Sequence, residues 1–301
     1  MQKEKKATVY SDGACNPNPG PGGWAAVITF PDRKPEELVG SEFNTTSNRM
    51  ELTAALQALQ HIPQEYKVVI YTDSKYLKKG ITEWLRNWQK KNWQTAEKTA
   101  VKNRELWEQL AEEIQRRKVI WNWTKGHAGN TWNERADFLA RSAIESMQLP
   151  LDEKNVVHVF AAASFLGKDD CGGWAVLLKY GENSKTLSGS ERGTTGNQMH
   201  IRSAIEGLKA LKKNLPVYVY TSSSYLKDGA TFWLDKWQKG NWLTKDRKPV
   251  LNRALWEELA KTMQSQKVNW FPVAKDKMPD EMKQAKDLAT RMAYERSQIN
   301  P

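Results

Sequence analysis

Residues 69–93 read VIYTDSKYLKKGITEWLRNWQKKNW, and residues 218–242 read YVYTSSSYLKDGATFWLDKWQKGNW. When the two stretches are extended to Trp121 and Trp270, they align without a gap at an offset of 149. They share 28 identities over 53 positions. Identity of this extent within one chain indicates a duplicated domain.

The duplication sets the domain organisation of the 301-residue chain. Gly22-Gly23-Trp24 matches Gly172-Gly173-Trp174 at an offset of 150, so the repeat reaches well upstream of the first match. A short polar stretch separates the copies. We therefore predict a first domain over 1–148, a linker over 149–155 and a second domain over 156–301.

Strand and helix patterns alternate through the first copy. β-Branched runs bounded by turn residues predict strands, and apolar residues at helical spacing predict helices. The predicted strands cover 7–11, 24–30, 37–43, 68–72 and 119–124, and the predicted helices cover 47–61, 76–89, 102–116 and 133–147. Ser47 or Asn48 is the expected cap of the first helix. The order predicts an α/β fold in which each domain is a mixed five-stranded sheet flanked by helices.

Cysteine, histidine and apolar residues exclude several classes of protein. Only Cys15 and Cys171 are present, which excludes a disulfide framework and a cysteine-rich zinc module. The four histidines lie far apart in the sequence and form no ligand motif of the His-x₃-His kind. The longest apolar run is too short to cross a bilayer, so no membrane partner is expected. We expect a soluble, cytoplasmic protein.

The charge and aromatic content favour a polyanionic partner. The net charge is +11, and there are 14 tryptophans. Lysine and arginine neutralise phosphates, and indole rings stack on bases or pack against sugars. A solvated basic surface over a tryptophan-rich core would give the same composition, so composition alone leaves nucleic acid as one of two readings.

Four carboxylates of the first copy are expected at one edge of the sheet. Asp12 and Asp73 end predicted strands, and Glu51 and Asp137 lie near the starts of predicted helices. Ligands of open sheets bind outside strand ends and beside helix starts. Clustered carboxylates repel one another unless cations lie between them, and oxygen-only ligands suit Mg²⁺ or Mn²⁺.

Several motifs in one order give the first copy a family resemblance. They are Tyr10-Ser11-Asp12-Gly13-Ala14-Cys15, Pro19-Gly20-Pro21-Gly22-Gly23, Thr45-Thr46-Ser47-Asn48-Arg49-Met50-Glu51-Leu52, Thr72-Asp73-Ser74, Lys125-Gly126-His127-Ala128-Gly129 and Asn133-Glu134-Arg135-Ala136-Asp137. Together they resemble ribonuclease H of the bacterial type-1 kind over nearly all of residues 6–147. The resemblance implies endonucleolytic hydrolysis of the RNA strand of RNA–DNA hybrids with two Mg²⁺ ions, Mn²⁺ being the alternative.

The resemblance also implies a role for each site residue. Asp12 would contact both metals, Asp137 would help to hold the metal that carries the attacking water, and Glu51 and Asp73 would hold the other metal. Two such cations can activate water and stabilise the leaving 3′-oxygen, so no covalent nucleophile is needed. His127 matches the family histidine that assists the water or product departure.

Contacts to the hybrid are also carried over from the family. A minor-groove surface distinguishes RNA from DNA by the 2′-hydroxyls, and a separate pocket holds a phosphate of the DNA strand. The positions that match the groove surface are Cys15, Asn18, Ser47, Asn48 and Lys75, and those that match the phosphate pocket are Thr46 and Asn103. The segment 78–102 resembles the family's basic protrusion, in which Lys90 and Lys91 are expected to contact phosphates. Its tryptophans are expected to pack the protrusion onto its own helix.

The second copy has lost the acidic residues. The positions that correspond to Asp12, Glu51, Asp73 and Asp137 are Ala162, His200, Ser222 and Lys286, respectively. We therefore predict that the second domain is catalytically degenerate and binds no catalytic metal. Residues 1–150 carry a net charge of +4 and residues 151–301 a net charge of +7, so basicity persists. The second copy is either a hybrid-binding module or a structural partner.

The sequence thus predicts a hybrid-specific endoribonuclease with catalysis confined to the first domain. One alternative is a nucleic-acid-binding protein whose catalytic half is silenced by its degenerate neighbour. The intact carboxylates speak against that alternative. A nuclease of the same fold that acts on DNA junctions is a further alternative, which the Thr-Thr-Ser-Asn and Gly-His-Ala-Gly motifs disfavour. The sequence leaves the oligomeric state open.

Overall fold

The computed structural model describes four stretches of the chain. These stretches cover residues 5–124, 130–212, 215–244 and 246–299. Contacts between Cα atoms divide the chain into two compact units, Met1–Gln148 and Leu149–Pro301. The helices of the described stretches include none that is long and apolar enough for a bilayer crossing.

The described residues of the first domain form five strands and five α-helices in the order βββαβαααβα. The strands are β1 (Lys6–Cys15), β2 (Gly20–Thr29), β3 (Glu36–Thr45), β4 (Lys67–Thr72) and β5 (Val119–Trp123). The helices are α1 (Ser47–His61), α2 (Lys75–Lys79), α3 (Leu85–Lys90), α4 (Arg104–Arg116) and α5 (Thr131–Glu145). A π-helical turn, Gly80–Trp84, joins α2 to α3.

The second domain repeats this order of elements. Its strands are β6 (Val157–Leu166), β7 (Cys171–Tyr180), β8 (Asn183–Arg192), β9 (Val217–Thr221) and β10 (Val268–Pro272). Its helices are α6 (Gly196–Lys209), α7 (Ser224–Asp228), α8 (Leu234–Lys239), α9 (Arg253–Met263) and α10 (Asp280–Gln298). A π-helical turn, Gly229–Trp233, again joins the two short helices.

Both sheets are mixed and share one topology. In the first domain the strand order is β3-β2-β1-β4-β5, and in the second it is β8-β7-β6-β9-β10. The first three strands of each sheet are antiparallel, and the last two add in parallel. Each domain is therefore a mixed five-stranded sheet flanked by helices, which confirms the predicted fold class.

The structure corrects three local predictions. Thr46, rather than Ser47 or Asn48, caps α1, because its side chain accepts a hydrogen bond from Arg49 N. The helix predicted over 76–89 is interrupted by the π-helical turn described above. Asp12 does not end β1, because that strand continues beside β2 to Cys15 although its pairing with β4 ends at Tyr10.

The tryptophans of the basic protrusion pack inward, as the sequence predicted. The Trp84 and Trp88 rings lie 5.5 Å apart, and the Trp88 ring lies 5.5 Å from that of Trp107. Trp107 is fully buried, and its Nε1 donates a hydrogen bond to Tyr76 Oη. The indoles therefore anchor the protrusion and leave its lysines exposed.

Residues 149–155, predicted as a linker, belong to the second compact unit. The carbonyl oxygen of Pro150 accepts a hydrogen bond from Tyr220 Oη at 3.1 Å. Tyr220 is fully buried in the second domain. This contact ties the start of the segment to the domain that follows it.

Helix α5 packs unusually closely on the sheet. A Cβ atom added at Gly23 in β2 would lie 2.1 Å from the carbonyl oxygen of Ala140 in α5. Only glycine allows this approach, since real Cβ atoms do not come so near a backbone oxygen. Gly23 therefore sets the height of α5 above the sheet, and with it the position of every residue on that helix.

We expect Gly23→Ala to lower the free energy of unfolding by about 1–3 kcal/mol, because the added methyl group overpacks the interface between α5 and β2. Urea denaturation measures this change. Gly167→Ala is the matched control, since a Cβ atom there has no neighbour nearer than 3.6 Å. A Gly23→Ala protein as stable as the wild type would contradict the tight packing.

Candidate active site

Three carboxylates of the first domain meet at one end of the sheet. Asp12 lies in β1, Glu51 lies in the first turns of α1, and Asp73 follows β4 directly. One carboxylate oxygen from each residue lies within 4.8 Å of the others. Because β1 and β4 are parallel neighbours, their carboxyl ends reach the same edge. The predicted convergence of these three residues is therefore what the structure shows.

Gly13 allows α1 to come this close to β1. A Cβ atom at Gly13 would lie 2.3 Å from the backbone nitrogen of Glu51. The amide of Gly13 also donates a hydrogen bond to Asp12 Oδ1 at 2.8 Å. The residue after Asp12 therefore both orients that carboxylate and leaves room for the next one.

Asp137 is the fourth carboxylate and stands slightly apart. It lies on α5, lines the same open cavity of about 520 Å³, and is close enough to Asp12 for a side-chain hydrogen bond. Its Oδ1 accepts a hydrogen bond from Arg141 Nε at 2.8 Å. Asp137 is thus held by a cation of its own helix, whereas the three clustered carboxylates form no such pair with a described lysine or arginine.

Burial and mutual repulsion disfavour negative charge on this cluster. Asp12 is 8% exposed, and burial together with the charges of Asp73 and Asp137 raises its pKa from 3.8 to about 7. Glu51 is 9% exposed, and burial followed by the charges of Asp12 and Asp73 raises its pKa well above the ordinary value. Carboxylates so arranged are stable as anions only with a cation among them.

The chemistry of the cluster fits a divalent metal. Glu51 Oε2 is buried and has no hydrogen-bond partner in the described part of the chain. An unpaired buried carboxylate oxygen is costly, and coordination to a cation would satisfy it. All the ligand atoms are oxygens, which is the set that Mg²⁺ and Mn²⁺ prefer.

Two residues that support the site were missed from the sequence. Trp123 Nε1 donates a hydrogen bond to the carbonyl oxygen of Asp73 at 3.1 Å, and Arg141 holds Asp137. A signal for both was present in the repeat. Pro272 replaces Trp123 and Thr290 replaces Arg141 in the copy that has also lost the two acids.

The structure places the predicted hybrid-contacting residues around this cavity and on the nearby protrusion. Cys15 and Ser47 line the cavity, and Ser47 N donates a hydrogen bond to Asn18 Oδ1. Thr46 precedes α1, Asn48 lies in its first turn, and Asn103 precedes α4 with a left-handed φ of 55°. Lys75 begins α2, and Lys90 and Lys91 stand exposed at the end of α3. Their contacts to a hybrid remain predictions, and His127 lies outside the described residues.

The corresponding edge of the second domain holds a lysine. Lys286 lies on α10 as Asp137 lies on α5, and its Nζ donates a hydrogen bond to the carbonyl oxygen of Ala163 at 2.5 Å. Ala162 is buried, and Ser222 follows β9. Among the described residues, the second domain has no cluster of potential metal ligands like that of the first.

His200 gives the second domain a predicted sensitivity to acid. Burial, followed by the charge of Lys286, lowers the pKa of His200 from 6.5 to about 4. At a pH between these two pKa values, His200 is protonated in the unfolded chain and neutral in the folded domain. Stability therefore falls as the pH drops through this interval, by roughly 3 kcal/mol in total.

We expect His200→Gln to flatten this part of the stability curve, because the glutamine does not titrate. Calorimetric unfolding of wild type and variant across the interval measures the effect, with the two proteins compared at each pH so that the titration of other groups cancels. An unchanged pH dependence in the variant would show that His200 is not the responsible group.

Comparison with known proteins extends these observations. The ribonuclease H family model matches residues 4–145 and again residues 154–293. The chain is 50% identical over 143 residues to the Ribonuclease H of Chromohalobacter salexigens, which covers 48% of this chain and 87% of that protein. It is 51% identical over 146 residues to the Ribonuclease H of Paramagnetospirillum magneticum, covering 48% and 94%.

A solved structure, LC9-RNase H1, is described as a type 1 RNase H with the type 2 active-site motif. It aligns with a TM-score of 0.44 at 28% identity, over 49% of this chain and 76% of that chain. The family assignment rests on the two matches to the family model and on the sequence relatives. The chain belongs to the ribonuclease H family, metal-dependent enzymes that cleave the RNA strand of RNA–DNA hybrids.

Proposed function

We propose that the first domain alone carries out endonucleolytic cleavage of the RNA strand, with two Mg²⁺ ions at the carboxylate cluster. The observation that carries this proposal is the convergence of Asp12, Glu51 and Asp73, whose oxygens lie within 4.8 Å of one another. Nothing comparable is found in the described residues of the second domain. The intact cluster also disfavours the alternative in which the first domain is catalytically inactive and the protein only binds nucleic acid.

Each acidic residue has a distinct task in this proposal. Asp12 is central, because it interacts with both Asp73 and Asp137 and so can share two cations. Glu51 and Asp73 would complete one metal position, and Asp137, which lines the same cavity, would complete the other. When bound, a pair of divalent cations supplies an activated water and stabilises the leaving oxygen.

Neighbouring residues keep these oxygens in place. Trp123 fixes the backbone at Asp73, and the Gly13 amide fixes Asp12. Arg141 orients Asp137 and offsets part of its charge. The thiol of Cys15 lies 3.2 Å from the carbonyl oxygen of Pro17, so it faces backbone rather than the carboxylates. Water is the nucleophile in this proposal, because a pair of divalent cations would activate it.

We propose that the second domain binds the same hybrid without cutting it. Thr195 caps α6 as Thr46 caps α1, and Asn252 keeps the left-handed backbone of Asn103, with φ of 59° against 55°. Both residues correspond to the predicted pocket for a DNA-strand phosphate. Residues 151–301 also carry the larger net charge, +7. These features support binding over a purely structural role.

Cleavage of an end-labelled RNA–DNA hybrid by the full chain tests the proposal. We expect Mg²⁺-dependent cutting of the RNA strand that EDTA abolishes. Asp73→Asn is expected to lower the rate by at least about 100-fold, since it removes a charged ligand from the cluster. The matched control is Asp287→Asn, an exposed acid beside the degenerate site, which should keep wild-type activity.

Two outcomes would contradict the proposal. If Asp73→Asn cuts as fast as the wild type while retaining its fold, catalysis does not depend on this cluster. If the wild type shifts the mobility of the hybrid in Mg²⁺ without cutting either strand, the protein is a binding protein and not a nuclease.

A further inference from the structure

The second domain carries a cation where the first carries its acidic cluster. Ala163 corresponds to Gly13, the residue that touches both Asp12 and Glu51 in the first domain. The Lys286 ammonium donates a hydrogen bond to the carbonyl oxygen of Ala163 at 2.5 Å. The side chain of Lys286 therefore extends from α10 to the end of the sheet in the second domain. It brings a positive charge to the edge that corresponds to the acidic edge of the first domain.

Among the described residues of its own domain, this ammonium has no counter-ion. Across the described parts of the chain, no carboxylate oxygen lies within 4.0 Å of Lys286 Nζ. The two acids in the first turn of α10 are engaged elsewhere, Asp280 with Lys283 and Glu281 with Lys179. Asp287 is the next residue on the helix and so points about 100° away.

The surroundings of Lys286 make the missing counter-ion costly. The side chain is half-buried, and burial together with the like charge of Lys275 lowers its pKa. A partly buried cation without a counter-ion lowers the stability of the folded domain, and a bound anion would restore that stability. The ammonium carries three donors, and the Ala163 carbonyl oxygen uses one, so two remain for a ligand.

The residues at the positions of Glu51 and Asp73 are polar in the second domain and carry no negative charge. His200 stands where the first domain has Glu51, and its Nδ1 is buried with no partner among the described residues. Ser222 follows β9 as Asp73 follows β4, so a hydroxyl replaces a carboxylate. No acid at these positions repels an anion, in contrast to the first domain.

We propose that Lys286, with His200 and Ser222, forms a metal-independent site for one backbone phosphodiester of a bound RNA–DNA hybrid. This inference deepens the proposed function and rests on the second domain binding the hybrid. One ammonium matches the single charge of a phosphodiester. The first domain needs divalent cations to bring a phosphate near its carboxylates, whereas the second holds its cation covalently. The replacement of the acidic residues also removes the ligands of the metal ions that would activate water. The phosphodiester is therefore bound and not cleaved.

Hybrid binding by the full chain in EDTA tests the inference, because the metal-free first site repels phosphate. Fluorescence anisotropy across a salt series measures the affinity. Lys286→Gln is expected to weaken binding by about 3–10-fold at low salt and to reduce the salt slope by about one. Lys286→Arg, which keeps the charge, should stay within about twofold of wild type.

Lys283→Gln is the matched control on the same helix. Its ammonium is exposed and paired with an exposed carboxylate of Asp280, so its loss should change affinity by less than about twofold. If folded Lys286→Gln binds like the wild type, the ammonium is only a tether between α10 and β6, and the inference is wrong.

If Lys286→Gln fails to fold, chemical modification of lysines in the wild-type protein tests the inference instead. Acetylation of lysines, followed by mass spectrometry, should show that the hybrid protects Lys286 and leaves Lys283 reactive. Protection by inorganic phosphate alone, with none by the hybrid, would assign the site to a small anion and overturn the inference. Absence of Mg²⁺-dependent cleavage by the wild type would instead contradict the proposed function, whatever the Lys286 variants do in EDTA.

Discussion

Repulsion among buried carboxylates is the constraint on which the first domain depends. Asp12 and Glu51 are each less than 10% exposed and lie beside Asp73, at a distance where like charges oppose one another's ionisation. The fold nevertheless brings them together by a glycine at position 13 and by the parallel pairing of β1 with β4. Such an arrangement is stable as a set of anions only around cations, which ties the fold to its chemistry.

The second domain removes the same repulsion by another means. Its scaffold keeps the strand order, the π-helical turns and the buried tryptophan of the first domain. The acids are gone, and Lys286 supplies a charge of its own at the sheet end. We propose that one chain contains two ways to hold phosphate at equivalent edges of its two sheets: exchangeable metal ions in the first copy and a covalently attached ammonium in the second.

Much of this account could be predicted from the sequence. The duplication, the mixed five-stranded sheets and the meeting of Asp12, Glu51 and Asp73 follow from repeat identity, hydrophobic pattern and strand ends. The limits lay in contacts that no local pattern encodes. The hydrogen bond between Trp123 and the Asp73 carbonyl oxygen joins residues 50 positions apart. Strand β1 extends beyond the end of its pairing with β4, because its last residues pair with β2 alone. Comparison of the two copies would have pointed to Trp123, since it is lost together with Asp73.

The most direct test of a metal centre in one copy only is a crystal structure of the full chain with Mn²⁺, with the ions located by anomalous scattering. We expect anomalous peaks in contact with Asp12, Glu51 and Asp73, and none beside Lys286. A manganese peak at the degenerate edge of the second domain would contradict this expectation. So would an empty carboxylate cluster in crystals that hold enough Mn²⁺ to support cleavage.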